Sequence, residues 1–237
     1  DDGFMKNAKS LFSFIIFLIV SFPHIGFAQE KHYFQTDFQI EDFEQRRSKV
    51  FDGIGNDAIA LLQGSSGNAN FGVFRQSNSF YYLCGIESPH AYLLLNGVNR
   101  KSTLYLPHKN EGRESGEGKT LSAEDADLVK KLTGVDHVKS IELLSSDLMR
   151  TGLLRPPGPF LYIPLSPAEN GTDSRDELLA AQADSSSDPW DGQPSREAEL
   201  KLKLNQRFPQ FEILDLSPIL DTLRLIKSPN EVEIIRK

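Results

Sequence analysis

Two short, uninterrupted apolar runs constrain the fold of this chain more than any other feature of its sequence. Residues 57–63 are Asp-Ala-Ile-Ala-Leu-Leu-Gln, and residues 91–95 are Ala-Tyr-Leu-Leu-Leu. Neither run alternates polar and apolar positions as a half-exposed strand would. Runs of this length are typical of strands buried on both faces, because such a strand has no side that faces water. We therefore predict a sheet that is covered on both sides.

Further strands complete the predicted sheet. Asn96-Gly97 is a tight-turn dipeptide that would return the chain into an antiparallel strand over residues 102–106. Other strands are predicted at residues 137–141, 160–163 and 211–216. Because these strands alternate with helices, we predict an α/β fold with a mixed sheet of about six strands and helices on both faces.

Amphipathic periodicity predicts the helices that cover this sheet. Residues 37–51 form such a pattern, with Arg46 on the polar face. Ser122 and Asp125 make a start resembling a capping box for the next helix. The predicted inward positions are Leu128, Val129 and Leu132 in residues 122–132, and Ala198, Leu202 and Leu204 in residues 195–207, with one more helix at residues 143–151.

Polar segments separate these elements. Residues 107–120 are predicted to be a loop, and residues 167–193 a mobile surface excursion with a short helix near residues 177–183. Near the end of the chain, Ser228-Pro229-Asn230-Glu231 forms a capping box with Pro at the first helical position. It predicts a new helix that has barely begun at Lys237.

The densest aromatic cluster lies between the two apolar runs. Residues 74–85 crowd four aromatic residues, an arginine and two amides together, namely Phe74, Phe80, Tyr81, Tyr82, Arg75, Gln76 and Asn78. The segment is too short for a long helix and too aromatic for a solvated loop. We predict one packed helical turn, capped by Asn78 or Ser79 and ended by Gly85. Most clusters of this kind are core packing beneath a sheet.

The order of these residues resembles the N-terminal domain of the aminopeptidase P family, whose pattern is close to F-R-Q-x-S/N-x-F-x-Y-L-x-G-x-x-x-P-x-A. The matching residues are Phe74, Arg75, Gln76, Asn78, Phe80, Tyr82, Leu83, Gly85, Pro89 and Ala91. Further similarity at residues 104–107, 121–138 and 225–237 extends the resemblance over most of residues 37–237, leaving residues 167–193 unmatched. One position departs from the pattern, because Ser115 stands where the family often carries Trp.

This resemblance implies a fold like the creatinase and aminopeptidase P N-terminal domain, and a parent enzyme that is a metal-dependent Xaa-Pro aminopeptidase. Such an enzyme removes the first residue of a peptide when proline is second, usually with two manganese ions that activate a water. Its metal ligands belong to a "pita-bread" catalytic domain that would begin near Ile226, so residues 226–237 would be that domain's first helix. No catalytic or metal residue is carried over, and this chain alone is expected to be inactive and to bind no metal.

The resemblance also implies a homo-oligomer, because the family's N-terminal domain helps to assemble subunits and to close the active site of a neighbour. Tyr81 is the aromatic residue best placed to contact that neighbouring active site. Packing of Tyr81 within its own domain is an equally open interpretation. The other motif residues are expected to be structural: Phe74, Arg75, Asn78, Phe80, Tyr82, Gly85 and Pro89.

A stand-alone secreted binding module, with the same fold and no enzymatic activity, is the alternative. The chain stops one or two turns into a newly capped helix, which would leave Ile234 and Ile235 without a partner. We therefore favour a longer reading frame, in which a missing domain acts on peptides with proline second.

Composition and charge narrow the classes of function. The 237 residues are 39% hydrophobic, enough for one substantial core. A net charge of −7 makes nucleic acid or an anionic membrane a poor partner. Cys84 is the single cysteine, so it cannot form an internal disulfide, and we predict that it is a small buried residue.

The first residues have the features of an export signal. Met5 is followed by Lys6 and Lys9, an apolar run at residues 11–22, and Gly26-Phe27-Ala28, with small residues at its first and last positions. The run is too short to cross a bilayer, so a signal peptide cleaved after residue 28 is favoured over a stable membrane anchor. The predicted domain then covers residues 29–225, in a secreted or periplasmic protein.

No other motif predicts a self-sufficient active site. Residues 116–120 mimic the end of a phosphate-binding loop, but Arg113 occupies the position of the first glycine. The carboxylates of residues 124–127 suit a helix start without any metal. The histidines are scattered, and none is paired with another at the spacing of metal ligands.

Overall fold

A six-stranded mixed sheet organises the chain. The structure is a computed structural model that describes residues 34–67, 74–153, 160–169 and 174–236. In chain order the strands are β1 (Ala58–Gln63), β2 (Tyr92–Asn96), β3 (Lys101–Leu106), β4 (His137–Ser140), β5 (Phe160–Ile163) and β6 (Glu212–Asp215). They lie side by side in the order β4-β3-β2-β1-β5-β6.

The two predicted apolar runs lie next to each other in the middle of this sheet. β1 pairs antiparallel with β2, with Leu61 opposite Leu94, and parallel with β5, with Ile59 opposite Leu161. β2 and β3 form the predicted antiparallel hairpin, whereas the β3–β4 and β5–β6 pairs are parallel. The predicted mixed sheet of six strands is therefore confirmed.

The helices are placed between and after these strands. In chain order they are α1 (Ile40–Ile54), α2 (Asn78–Cys84), α3 (Glu111–Glu117), α4 (Ala126–Thr133), α5 (Leu144–Leu153), α6 (Arg175–Ser187), α7 (Arg196–Arg207), α8 (Ser217–Leu225) and α9 (Pro229–Arg236). One-turn 3-10 helices, Ala123–Asp125 and Ile141–Leu143, lead into α4 and α5.

Side chains along β1 alternate between two hydrophobic cores. Ala58, Ala60 and Leu62 face a core shared with α1, α2, α4 and α8. Ile59 and Leu61 face a second core, shared with α5 and α7. All five residues are buried because both faces of the sheet are covered. This confirms the predicted helices on both faces.

Two segments contain more helix than their sequences predict. The predicted loop at residues 107–120 contains α3, which begins because the Asn110 side chain accepts a hydrogen bond from the Arg113 amide. In the predicted surface excursion, α6 extends over Arg175–Ser187, well beyond the short helix predicted there. Its capping box joins Ser174 and Glu177, but it buries no side chain, so no apolar periodicity marks its length.

Some predicted inward positions are wrong, although Val129 and Leu204 are buried as predicted. On α4, Val129 is buried as predicted, but Leu128 is 42% exposed. α7 packs through Leu204, whereas Leu202 is 54% exposed and Ala198 is exposed as well. Helix rotation depends on which neighbour the helix meets, and the sequence of a single helix does not state that.

Gly97, in the turn between β2 and β3, lies against the chain that enters β1. Its amide donates to the Ala58 carbonyl at 2.9 Å, and a Cβ here would lie 2.1 Å from the Gly55 carbonyl oxygen. Because both neighbours are backbone atoms, we expect Gly97→Ala to lower the free energy of unfolding by about 2 kcal/mol. Urea unfolding checks this. Gly112→Ala in α3 is the control and should be neutral or stabilising by up to about 1 kcal/mol, because alanine favours a helix; an unchanged midpoint for Gly97→Ala would contradict the close approach.

Nothing in the described ranges tests the predicted domain limits or the export signal. Residues 1–28, where the signal is predicted, lie outside those ranges. No helix in the described part of the chain combines the length and apolarity needed to span a membrane. The predicted boundary near residue 225 falls between α8 and α9, with Ile226 exposed just after α8.

Candidate functional site

The segment around α2, residues 74–91, is called the motif segment below because it carries the family pattern. Its anchor is the buried amide of Gln76. The Gln76 Oε1 atom accepts from the Ser65 amide at 2.5 Å and the Ser77 amide at 2.9 Å, while Nε2 donates to the Ser88 carbonyl at 3.1 Å. One side chain thereby joins the loop after β1 to both ends of the motif segment.

α2 itself is one short helix whose inner face is core. Phe80, Leu83 and Cys84 are fully buried, which agrees with the predicted packed turn and the buried thiol. Gly85 ends the helix as predicted, at φ +66°, and a Cβ there would lie 2.7 Å from the Phe43 ring. The predicted cap is wrong: Asn78 is already helical, and Ser77 precedes it without a side-chain capping bond.

Two adjacent arginines of α1 hold the carboxyl end of α2. Arg47 donates to the carbonyls of Leu83 at 2.9 Å, Thr133 at 2.9 Å and Gly134 at 2.8 Å. Arg46 donates to the Tyr82 carbonyl at 3.0 Å. Carbonyls in the last turn of a helix lack intrahelical partners and favour a cation. The prediction that Arg46 lies on the polar face is therefore wrong, since this side chain is buried.

Tyr82 packs against one of these arginines. Its ring centroid lies 4.2 Å from Arg46 Cζ, and its hydroxyl donates to the Leu223 carbonyl at 3.2 Å. Burial, and then the charge of Glu231, raise the pKa of Tyr82. The Tyr82 side chain is half-buried. Its hydroxyl bond to Leu223 links α2 to the end of α8.

The remaining motif residues divide between core and surface. Phe74 is half-buried and Pro89 is buried. Arg75 is solvent-exposed, with Nη1 3.4 Å from Glu87 Oε1. The backbone amide of Asn78 donates a hydrogen bond to the Glu169 carbonyl at 2.9 Å. All four lie around α2, but Arg75 stabilises little, because exposed ion pairs contribute little.

Tyr81 projects from the half-exposed side of α2. Burial, and then the charges of Glu87 and Asp37, raise the pKa of Tyr81 to about 12. Its phenol therefore stays neutral over the physiological range and can donate a hydrogen bond. The arrangement presents a neutral aromatic donor on a firmly held helix. The predicted contact of Tyr81 with a neighbouring subunit stays a prediction.

A second polar cluster ties α8 to the other end of α2. Arg224 contacts Glu169 at 2.7 Å and the Ser79 hydroxyl at 3.2 Å, and Arg175 contacts Glu169 at 2.9 Å and Asp221 at 2.5 Å. Burial opposes ionisation of Glu169, but the hydrogen bond and charge of Arg224 lower its pKa overall. Sequence reasoning missed this cluster because its members come from four separate segments.

The described residues do not offer a site for a catalytic metal. Within those ranges, no group of three or more His, Cys, Asp or Glu side chains is arranged to hold an ion. The Asp147 carboxylate, for example, binds two neighbours: its Oδ2 atom lies 2.7 Å from the Tyr105 hydroxyl and 2.6 Å from Lys139 Nζ. In residues 116–120, which mimic the end of a phosphate-binding loop, Lys119 Nζ lies 3.7 Å from Asp125 Oδ1, so this lysine contacts a carboxylate of its own chain.

His108 makes the closest contact of any described histidine with an acidic group, since its Nδ1 lies 2.5 Å from Glu124 Oε1. The hydrogen bond with Glu124 raises the pKa of His108, and the same bond lowers the pKa of Glu124 to about 2. The contact is therefore fully present between the ordinary pKa values, 4.5 and 6.5. It is lost as pH rises through the folded pKa of His108 or falls through that of Glu124.

NMR titration of the His108 ring checks this pair. We expect a pKa above the ordinary histidine value in the unsubstituted chain, and a downward shift in Glu124→Gln. Glu142, 3.5 Å from His108 Nε2, provides the control, because Glu142→Gln should shift the pKa of His108 less. The same titration curve for the unsubstituted chain and Glu124→Gln would contradict the pair.

The sequence of this chain is similar to those of known proteins. Residues 43–153 match the family model for the aminopeptidase P N-terminal domain, and this range includes most of α1 and the whole motif segment. Xaa-Pro aminopeptidase 3 of Homo sapiens is 29% identical over 167 residues, covering 68% of this chain. The Xaa-Pro aminopeptidase of Haemophilus influenzae is 27% identical over 203 residues, covering 83%. The predicted family resemblance is thereby confirmed.

Solved structures show the same fold. A structure assigned as an aminopeptidase P from Bacillus anthracis aligns with a TM-score of 0.64 over 84% of this chain and 43% of that chain, at 20% identity. Aminopeptidase P from E. coli with the inhibitor Pro-Leu aligns with a TM-score of 0.57 over 85% of this chain and 42% of that chain, at 18% identity. This chain spans 28% of the human relative and 39% of the Haemophilus one.

Proposed function

We propose that this chain, which matches the aminopeptidase P N-terminal domain over residues 43–153, is the non-catalytic N-terminal domain of a metal-dependent Xaa-Pro aminopeptidase. The parent enzyme would remove the first residue of a peptide when proline is second. The observation that carries this proposal is the match of residues 43–153 to the family model, in a region aligned with relatives named for that activity.

The chemistry is assigned to residues outside this chain. Two metal ions, which we propose are manganese, would activate a water for attack on the peptide carbonyl. A two-metal site needs several converging carboxylates with hydrogen-bonded supports, and the described residues contain no such group of acidic side chains. The length of the relatives supports this division, because this chain spans only 28% and 39% of the two relatives compared above.

The domain's own role would be structural and oligomeric. We assign Tyr81 to a contact with the active site of a neighbouring subunit in a homo-oligomer. The placement of Tyr81 supports this assignment: α2 is fixed by Gln76 and by two arginines, while the Tyr81 side chain is half-exposed and remains a neutral donor. A fixed helix with a partly exposed aromatic residue offers a rigid contact at low entropic cost.

We also propose that the protein is exported and lacks a stable membrane anchor. The basic start, the short apolar run of residues 11–22 and the small residues before Gln29 support cleavage after residue 28. N-terminal sequencing of the exported protein is expected to begin at Gln29. Recovery of residues 11–22 in the mature protein would contradict export by cleavage.

An Xaa-Pro peptide assay tests the proposed enzyme. A polypeptide that continues past Lys237 through the downstream reading frame is supplied with manganese, zinc or chelator. We expect metal-dependent release of the first residue from a peptide with proline second, and none from the same peptide with alanine second. Tyr81→Ala should lower this activity while Tyr81→Phe retains more of it. A folded longer chain that is inactive with every metal would overturn the proposal in favour of a binding module.

A further inference from the structure

The last described helix, α9, is held to the domain mainly by polar contacts. It contributes no fully buried side chain, and Ile235 is 69% exposed. Glu231 Oε1 lies 3.1 Å from Arg46 Nη2, and Asn230 Nδ2 donates to Asp42 Oδ2 at 2.9 Å. Val232 and Ile234 are half-buried at most, so these polar contacts contribute much of what fixes the direction of α9.

The Arg46 side chain is enclosed on several sides. Its Cζ atom lies 4.2 Å from the ring centroids of both Phe38 and Tyr82, which is the distance of a cation–π contact. The side chains of Arg46 and Glu231 are only 6% and 12% exposed. Solvent and salt screen such a pair little, and removing one charge leaves the other buried without a partner.

Glu231 has two functions in one carboxylate. Its Oε2 atom accepts from the Ser228 amide at 2.7 Å, which completes the capping box of α9. Its Oε1 atom contacts Arg46. The Glu231 side chain therefore both caps the first turn of α9 and orients it. Glu231 cannot change rotamer without breaking its contact with Arg46.

Arg46 also reaches the motif segment, because its Nη1 atom donates to the Tyr82 carbonyl at 3.0 Å. We propose that Arg46 is a positioning residue that couples α2, the helix carrying Tyr81, to α9 and so sets the direction in which α9 leaves the domain. This inference rests on the proposed function, in which α9 leads into the catalytic domain and Tyr81 contacts a neighbouring subunit. Arg46 would then hold the connection to the catalytic domain and the subunit contact of Tyr81 in one fixed geometry.

The neighbouring helix provides an internal reference. α8 is joined to α2 through the contact between Arg224 and Ser79, which involves neither Arg46 nor Tyr82. α8 also buries Leu220 in the first core. Loss of the Arg46–Glu231 pair should therefore release α9 while α8 stays in place.

Hydrogen exchange on the 237-residue chain tests the inference without any activity readout. Glu231→Gln removes the charge but can keep the capping box, since glutamine also serves at that position. We expect exchange at the amides of residues 232–236 to accelerate about tenfold, the change that a lost interaction of roughly 1.4 kcal/mol would cause. Exchange in α8 and β1 should not change. Glu199→Gln is the matched control, because Glu199 forms an exposed ion pair with Lys203.

A double-variant comparison separates positioning from simple packing. Arg46→Met should accelerate exchange in α9 about as much as Glu231→Gln does, and the double variant should add nothing further. Arg46→Lys should restore protection only in part, because an ammonium lacks the two-ended fork of arginine. Unchanged exchange in α9, or equal acceleration in α9, α8 and β1, would overturn the inference. An inactive longer enzyme with these exchange results intact would count against the proposed function alone.

Discussion

Phe80→Ala is expected to lower the free energy of unfolding by roughly 3–5 kcal/mol, as truncation of a buried aromatic side chain does. Phe80 is fully buried in the core that β1 shares with α1 and α2. α2 is only seven residues long, and a helix this short depends on tertiary packing for its stability. Loss of the ring therefore removes apolar contact and leaves a cavity beneath the motif segment.

The neighbouring tyrosine provides the control for this substitution. Tyr81 lies on the same helix but is half-exposed, so Tyr81→Ala should cost much less stability. Urea unfolding followed by circular dichroism compares the two variants with the unsubstituted chain. If Phe80→Ala and the unsubstituted chain unfold at the same urea concentration, Phe80 does not pack in the core as described.

Arg47→Met is expected to cost about 3–5 kcal/mol, because several buried carbonyls lose their donor and each such group costs about 1–3 kcal/mol. The carbonyls belong to Leu83, Thr133 and Gly134, at the ends of α2 and α4. Burial lowers the pKa of Arg47, so the fold already bears the cost of enclosing this cation. Methionine restores the apolar stem but none of the hydrogen bonds.

An exposed arginine in the motif segment is the matched control. Arg75→Met removes a guanidinium that is 69% exposed and lies 3.4 Å from the Glu87 carboxylate. We expect a change within about 0.5 kcal/mol. Calorimetry on both variants gives the comparison. Equal melting temperatures for Arg47→Met and Arg75→Met would show that the carbonyls find other partners.

Much of the sheet could be predicted from local sequence. The two apolar runs are buried central strands, because continuous apolar character is what a strand covered on both faces requires. Turn and capping chemistry placed Gly85 and the Ser122 capping box correctly, since these effects depend on a few adjacent residues. α3 was missed because its two glycines outweighed the cap at Asn110.

The candidate site was only partly predictable. The family pattern identified α2 and its glycine end, but periodicity placed Arg46 in solvent. Arg46 and Arg47 are buried because the last carbonyls of α2 and α4 come within reach only once the helices pack. Arg224 and Glu231 also meet their partners, Ser79 and Arg46, only in the folded domain, because these partners are distant in sequence. Long-range polar pairs leave no periodic signal in a single sequence.

The peptide assay on the 237-residue chain alone tests most directly whether this domain supplies structure without chemistry. The purified chain is freed of metal with chelator, supplied with manganese, and incubated with a peptide whose second residue is proline. We expect no release of the first residue, although the longer polypeptide releases it under the same conditions. Release by the 237-residue chain itself, dependent on metal and abolished by chelator, would contradict the assignment of all catalytic residues to another domain.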